Sequence, residues 1–132
     1  MKCIVVTPEK TEVDCEATFV ALPLFDGEYG VAPLHTPMVG RLGAGELRVK
    51  KADETLDRYY VEGGFVEVSG DVVSILTNRL LRHGALAVDE AERALEKAKA
   101  LSATTADLFA VKKKEVDSAR ARLRTAKKWS GR

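Results

Sequence analysis

The feature that most constrains this chain is a change of hydrophobic period about two thirds of the way along it. From residue 3 to about residue 78, short β-branched or alternating runs recur roughly every ten residues. They lie at 3–7, 12–16, 19–22, 28–31, 38–39, 46–50, 56–61, 65–68 and 72–76, which gives eight or nine short strands. Turn chemistry separates them: Pro8-Glu9-Lys10, Asp26-Gly27, Gly43-Ala44-Gly45, Gly63-Gly64 and Gly70-Asp71. Pro23 is read as the end of the third run, and Pro33 and Pro37 as stops after the fourth. No helix-length pattern lies between the runs. Parallel neighbours need crossover helices, so the strands are expected to be antiparallel and hairpin-connected. Many short antiparallel strands close into a sandwich or barrel, here with a thin core.

Near residue 86 the period becomes helical. Val88, Ala91, Leu95 and Ala98 share one face, with Asp89 as the expected N-cap and Glu92 placed to complete a capping box. Ser102-Ala103-Thr104-Thr105 breaks this helix and offers caps for the next. Leu108, Val111, Val116, Ala119, Leu123 and Ala126 are expected to line the facing side of a second helix. Residues 129–132 are expected to fray. The expected organisation is a β domain at 1–84 and an antiparallel two-helix hairpin at 85–132.

The hairpin seam is rich in alanine: Ala91, Ala94, Ala98, Ala119 and Ala126. Each alanine in place of leucine forgoes roughly 2 kcal/mol of burial. A hairpin so supplied does not stand alone in water and must dock on something. Two readings follow: a two-state element that folds down or extends, or a permanently docked one.

Charge sharpens the division. The whole chain is at +1, with 21 basic and 20 acidic side chains, but residues 102–132 hold 9 basic and 3 acidic ones. Lys112, Lys113, Lys114, Arg120, Arg122, Arg124, Lys127 and Lys128 make the second helix basic. It can be a solvated face, bind nucleic acid, or meet an acidic protein surface. Interleaved aromatics of the kind that stack on bases are missing, and the apolar face is weak for insertion into lipid.

Little in the chain resembles a catalytic centre. No phosphate-binding loop with its lysine is present. Cys3, Cys15, His35 and His83 are scattered singles without metal-ligand spacing. No nucleophile and base are paired. A turn centred on Glu9 sets Cys3 opposite Cys15, as either a redox switch or two small half-buried side chains. With 45% apolar and 31% charged residues the composition is globular, and no apolar run approaches the length of a membrane span. The N-terminal residues lack the pattern of a secretory leader.

Three stretches carry a resemblance. Residues 26–37, Asp-Gly-Glu-Tyr-Gly-Val-Ala-Pro-Leu-His-Thr-Pro, are similar to a Gly-Glu-Leu-Gly-Ile-x-Pro-Gly-His-Ala-Pro segment. Residues 43–49, Gly-Ala-Gly-Glu-Leu-Arg-Val, are similar to the strand that follows it. Gly63-Gly64-Phe65-Val66-Glu67-Val68 with the run at 72–76 resembles a Gly-Gly-Phe-x-Glu-Val hairpin. In this order, ahead of a helical hairpin, they resemble the epsilon subunit of F-type ATP synthase.

The resemblance implies an N-terminal sandwich of ten strands and a C-terminal helical hairpin. It implies a non-catalytic rotor subunit that couples proton flow to ATP synthesis and restrains ATP hydrolysis through its helices. The implied partners are the gamma subunit, the c-subunit ring and the catalytic alpha and beta subunits, at the cytoplasmic face of a bacterial inner membrane. Nucleic acid is not among them, and membrane association comes only through the complex. Glu28, His35 and Met38 become interface candidates by position. Arg120, Arg122 and Arg124 become candidates for meeting an acidic segment of beta.

Some members bind ATP as a regulatory ligand on the hairpin, through Ile/Leu-Asp-x-x-Arg-Ala. Here Asp89 and Arg93 are one residue further apart, which turns the arginine by about 100° on a helix. Glu92 takes its place. If ATP binds, Asp89, Arg93 and Arg122 are the residues implied; no other cofactor is. The competing reading is a free β-sandwich adaptor whose basic tail binds nucleic acid or anionic membrane.

Overall fold

The computed structural model describes residues 1–131. Within them nine strands precede two helices: β1 (Lys2–Val6), β2 (Thr11–Leu24), β3 (Gly27–Val31), β4 (Met38–Arg41), β5 (Ala44–Lys51), β6 (Leu56–Glu62), β7 (Phe65–Ser69), β8 (Val72–Leu76), β9 (Arg79–Arg82), α1 (Val88–Lys99) and α2 (Ala106–Trp129). Burial alternates along β1, β7 and β8, whereas in β6 Tyr59, Tyr60 and Val61 are buried in succession. In β7, for example, Val66 and Val68 are buried while Phe65, Glu67 and Ser69 are exposed.

The strands form a sandwich. One layer runs β4-β7-β8-β1 and takes in the first half of β2; the other joins the second half of β2 to β3, β5, β6 and β9. The 14-residue β2 therefore belongs to both layers. Its register against β5 slips between Ala17 and Phe19, and the extra residue bends the strand from one layer into the next. Between the layers lies one apolar core, including Val5, Val20, Leu22, Leu47, Val49, Val61, Val66, Val73 and Ile75, each fully buried.

Four expectations need correction. The sheet is not wholly antiparallel: β1 pairs with β8 in parallel, from Lys2 beside Val72 to Val6 beside Leu76. The crossover between them is the run of strands β2 to β7 rather than a helix. Pro23 does not end its strand. It lies within β2 opposite Glu28 of β3, beyond the last β5 partner, so its missing N–H breaks no ladder. The two runs at 12–16 and 19–22 are the single strand β2. β9 has no counterpart among the runs read in the sequence, and the described strands number nine.

Gly64 shows why the Gly63-Gly64 pair is glycine. Its φ is +106°, and a Cβ there would sit 1.8 Å from the carbonyl oxygen of Leu76.

The chain divides into two compact units, Met1–His83 and a second that begins at Gly84. In the second, α1 and α2 pack antiparallel. Val88 and Ala91 meet Ala126, and Leu95 and Ala98 meet Ala119, with Val116 and Leu123 packed alongside. Leu108 and Val111, expected in this seam, are exposed instead, as is Phe109. The reason is length: α1 has 12 residues and α2 has 24, about 18 Å against 36 Å.

Asp89 is not the N-cap. α1 begins at Val88 behind Ala87, which makes no side-chain cap hydrogen bond, and Asp89 sits with Glu90 in the first turn. Thr105 does cap α2, accepting a hydrogen bond from the N–H of Leu108 at 3.2 Å. α2 continues through Trp129, where fraying was expected; Arg132 lies outside the described residues.

Candidate functional site

The segment from Glu28 to Met38 holds three of the interface candidates, and its geometry follows from β3, β4 and the turn residues between them. β3 pairs with β2, Glu28 opposite Pro23 and Tyr29 opposite Leu22. The ring of Phe19 covers Gly30 so closely that a Cβ there would lie 2.6 Å from it. The chain then leaves the sheet through Pro33 and turns at Leu34, whose φ is +67°. A leucine in this left-handed region carries roughly 1 kcal/mol or more of strain, and its side chain is 97% exposed. Leu34 stands where the resembling segment has glycine.

His35 is half-buried and held at both ring nitrogens. Nε2 lies 2.6 Å from the Tyr29 hydroxyl and Nδ1 lies 2.6 Å from the carbonyl of Thr36. A neutral ring with its proton on Nδ1 satisfies both, donating to Thr36 and accepting from Tyr29. The two rings also meet edge to face at 5.5 Å. His35 thus ties the loop back onto β3. Met38 opens β4 and packs, half-buried, against the sandwich core.

Glu28 is one end of a charge ladder that sequence reading did not find. Both oxygens of its carboxylate accept from Arg48, at 2.5 and 3.1 Å. Arg48 also reaches Glu46 at 3.3 Å, and Arg58 donates to the same Glu46 oxygen at 3.1 Å. Glu46 is buried, so its charge depends on these arginines. Hydrogen bonding to Glu28 holds the Arg48 guanidinium above its ordinary value, more than burial lowers it. Register explains the ladder. Arg48 pairs with Ala21 of β2, Ala21 pairs with Gly30 of β3, and Arg48 pairs with Arg58 of β6. Alternating charge in Glu46-Leu47-Arg48 was the available signal, but the partners lie in strands whose order the sequence does not state.

On the helical hairpin, Asp89 and Arg93 fall on one exposed face of α1. They line an open groove of about 400 Å³ with Glu92 and Glu96. Three carboxylates to one guanidinium make a poor setting for phosphates. Arg122 is half-buried on α2 and does not line that groove; Arg120 and Arg124 are exposed there. The structure therefore groups Asp89 with Arg93 and leaves Arg122 apart from their groove. Among the described residues, no helix is long and apolar enough to cross a membrane.

Comparison with known proteins matches this architecture. The family described as "ATP synthase, Delta/Epsilon chain, beta-sandwich domain" matches residues 1–83. The ATP synthase epsilon chain of Rhodopirellula baltica is 45% identical over 127 residues, covering 96% of this chain and 98% of that one. That of Delftia acidovorans is 38% identical over 118 residues, covering 89% and 80%. Among solved structures, a chain of the Tetrahymena thermophila mitochondrial ATP synthase central stalk and c-ring has the same fold, with a TM-score of 0.77 at 14% identity and 96% coverage of both chains. A nine-stranded sandwich, the Gly-Glu-x-Gly sequence that opens β3 and a C-terminal helix pair occur here in one chain, and that chain belongs to the ATP synthase epsilon-chain family.

Proposed function

We propose that this protein is a non-catalytic central-stalk subunit of a proton-translocating F-type ATP synthase. In this reading it couples proton flow to ATP synthesis, and its C-terminal helices restrain ATP hydrolysis. The observation that carries the reading is the relationship to epsilon chains over nearly the full length, hairpin included. The gamma subunit and the c-ring are the proposed partners of the sandwich. The alpha and beta subunits are those of the hairpin. The complex sits at the cytoplasmic face of a bacterial inner membrane.

Two features support these roles. The loop at 32–37 is held to β3 by the Tyr29–His35 contact and offers Leu34 to solvent, which suits a preformed docking edge for Glu28, His35 and Met38. On α2, the stretch outside the α1 seam exposes Leu108, Phe109 and Val111 beside Lys112, Lys113 and Lys114. With Arg120, Arg122 and Arg124 further along, it suits an acidic protein surface that also covers apolar side chains. ATP, if it regulates the hairpin, meets Asp89, Arg93 and Arg122; the carboxylates of Glu92 and Glu96 favour weak binding.

Affinity purification of the tagged chain from its own cells tests the reading. The expected result is stoichiometric recovery of gamma, c, alpha and beta subunits. Recovery alone, with retention on a polyanion column that falls steeply with salt, contradicts it and favours the adaptor reading.

A further inference from the structure

The two cysteines are direct cross-strand partners: Cys3 of β1 lies opposite Cys15 of β2, and both are free thiols. Two positions along, Met1 and Ala17 exchange both backbone hydrogen bonds, Ala17 N–H to Met1 O at 2.7 Å and the Met1 ammonium to Ala17 O at 3.1 Å. The ladder alternates with period two and its register is unbroken from Lys2 to Val5, so Cys3 and Cys15 are a pair of the same type. Such pairs have Cα atoms about 5.5 Å apart, within the separation a disulfide spans. Both side chains point to the core face: Cys3 is fully buried, and Cys15 packs half-buried against the same cluster. Cys15 is the accessible member; burial raises its thiol, the ammonium of Lys51, paired to Asp57 at 2.8 Å, opposes that rise, and the carboxylates of Asp57, Asp14 and Glu16 add to it.

We propose that Cys15 and Cys3 form a peroxide-responsive intramolecular disulfide that staples β1 to β2. Hydrogen peroxide oxidises the Cys15 sulfur to sulfenic acid, and the peroxide bond breaks as one oxygen stays on sulfur and the other leaves as water. The Cys3 sulfur then attacks the sulfenic sulfur. The S–S bond forms, the S–O bond breaks, and the hydroxyl departs with the Cys3 proton as a second water. Two electrons pass from the thiol pair to one peroxide, and a dithiol reverses the change. Burial raises both thiols above their ordinary range, so the response is slow, suited to sustained oxidant rather than rapid signalling.

The test uses the full chain treated with hydrogen peroxide, then unfolded in N-ethylmaleimide and weighed intact. The expected product has lost two hydrogens, carries no maleimide, regains both thiols with dithiothreitol, and yields a linked Cys3–Cys15 peptide. Its thermal midpoint rises by about 5 °C or more. Cys3→Ser stops at a Cys15 sulfenic acid that dimedone traps, and Cys15→Ser leaves Cys3 reduced. The first readout uses the unaltered chain and so does not depend on either variant folding. Two maleimides on the treated chain, chain-to-chain disulfides, or sulfinic acid at Cys15 with Cys3 still reduced each overturn the proposal.

Discussion

At the scale of single residues, the fold depends on a few charged and polar groups whose surroundings can be named. Glu46 is buried and shared by Arg48 and Arg58. Removing one arginine leaves its carboxylate half-compensated in a poorly solvated place. Arg48→Ala is expected to cost about 2 kcal/mol, and Lys50→Ala, which loses only an exposed pair with Glu54, less than about 0.5 kcal/mol. Chemical denaturation of the two variants checks this contrast. Cys3 gives a pH dependence. Burial pushes its thiol up to about 12 from an ordinary 9.0, so the unfolded chain ionises it first. The stability contributed by the neutral buried thiol is complete below about pH 9 and is lost as pH rises toward 12. In reductant, thermal midpoints between pH 8 and 12 should fall more steeply for the unaltered chain than for Cys3→Ala. Equal slopes contradict that account.

At the scale of elements, the helix caps separate two roles that look alike in the sequence. Thr105 accepts from a backbone N–H at the start of α2; Asp89 sits inside α1, past the N-cap Ala87, and places its charge in the first turn. Thr105→Ala should therefore lower the opening free energy of α2 amides by about 1 kcal/mol, and Asp89→Ala that of α1 amides by about half as much, measured by hydrogen exchange. Strands that alternate between two faces, such as β7 and β8, were readable because one face of each meets the core. The parallel β1–β8 pair was not, because its partners lie some seventy positions apart in the chain and no local pattern records long-range order. β9, Arg-Leu-Leu-Arg, is too short and too charged at its ends to show a period. In the candidate site, Glu28 and His35 could be named from the loop that carries them. Arg48 and Tyr29, which hold them in place, became visible only once register set the strands side by side.

At the scale of the whole molecule, the chain divides its labour between two compact units of unlike construction. The first has a continuous core of large β-branched and aliphatic side chains. The second rests on alanine-rich contacts and carries most of the positive charge, with 9 basic to 3 acidic residues over 102–132. A well-packed platform carrying a weakly packed basic helix pair is suited to holding a position while its helices exchange partners. The epsilon-chain family gives that arrangement its setting, and the proposed restraint on hydrolysis is its sharpest consequence. The most direct test deletes residues 86–132 and measures ATP hydrolysis by the assembled synthase. The account predicts a sandwich that still folds and joins the complex, with hydrolysis several-fold faster than with the full chain. Hydrolysis unchanged or slower in a fully assembled complex contradicts it.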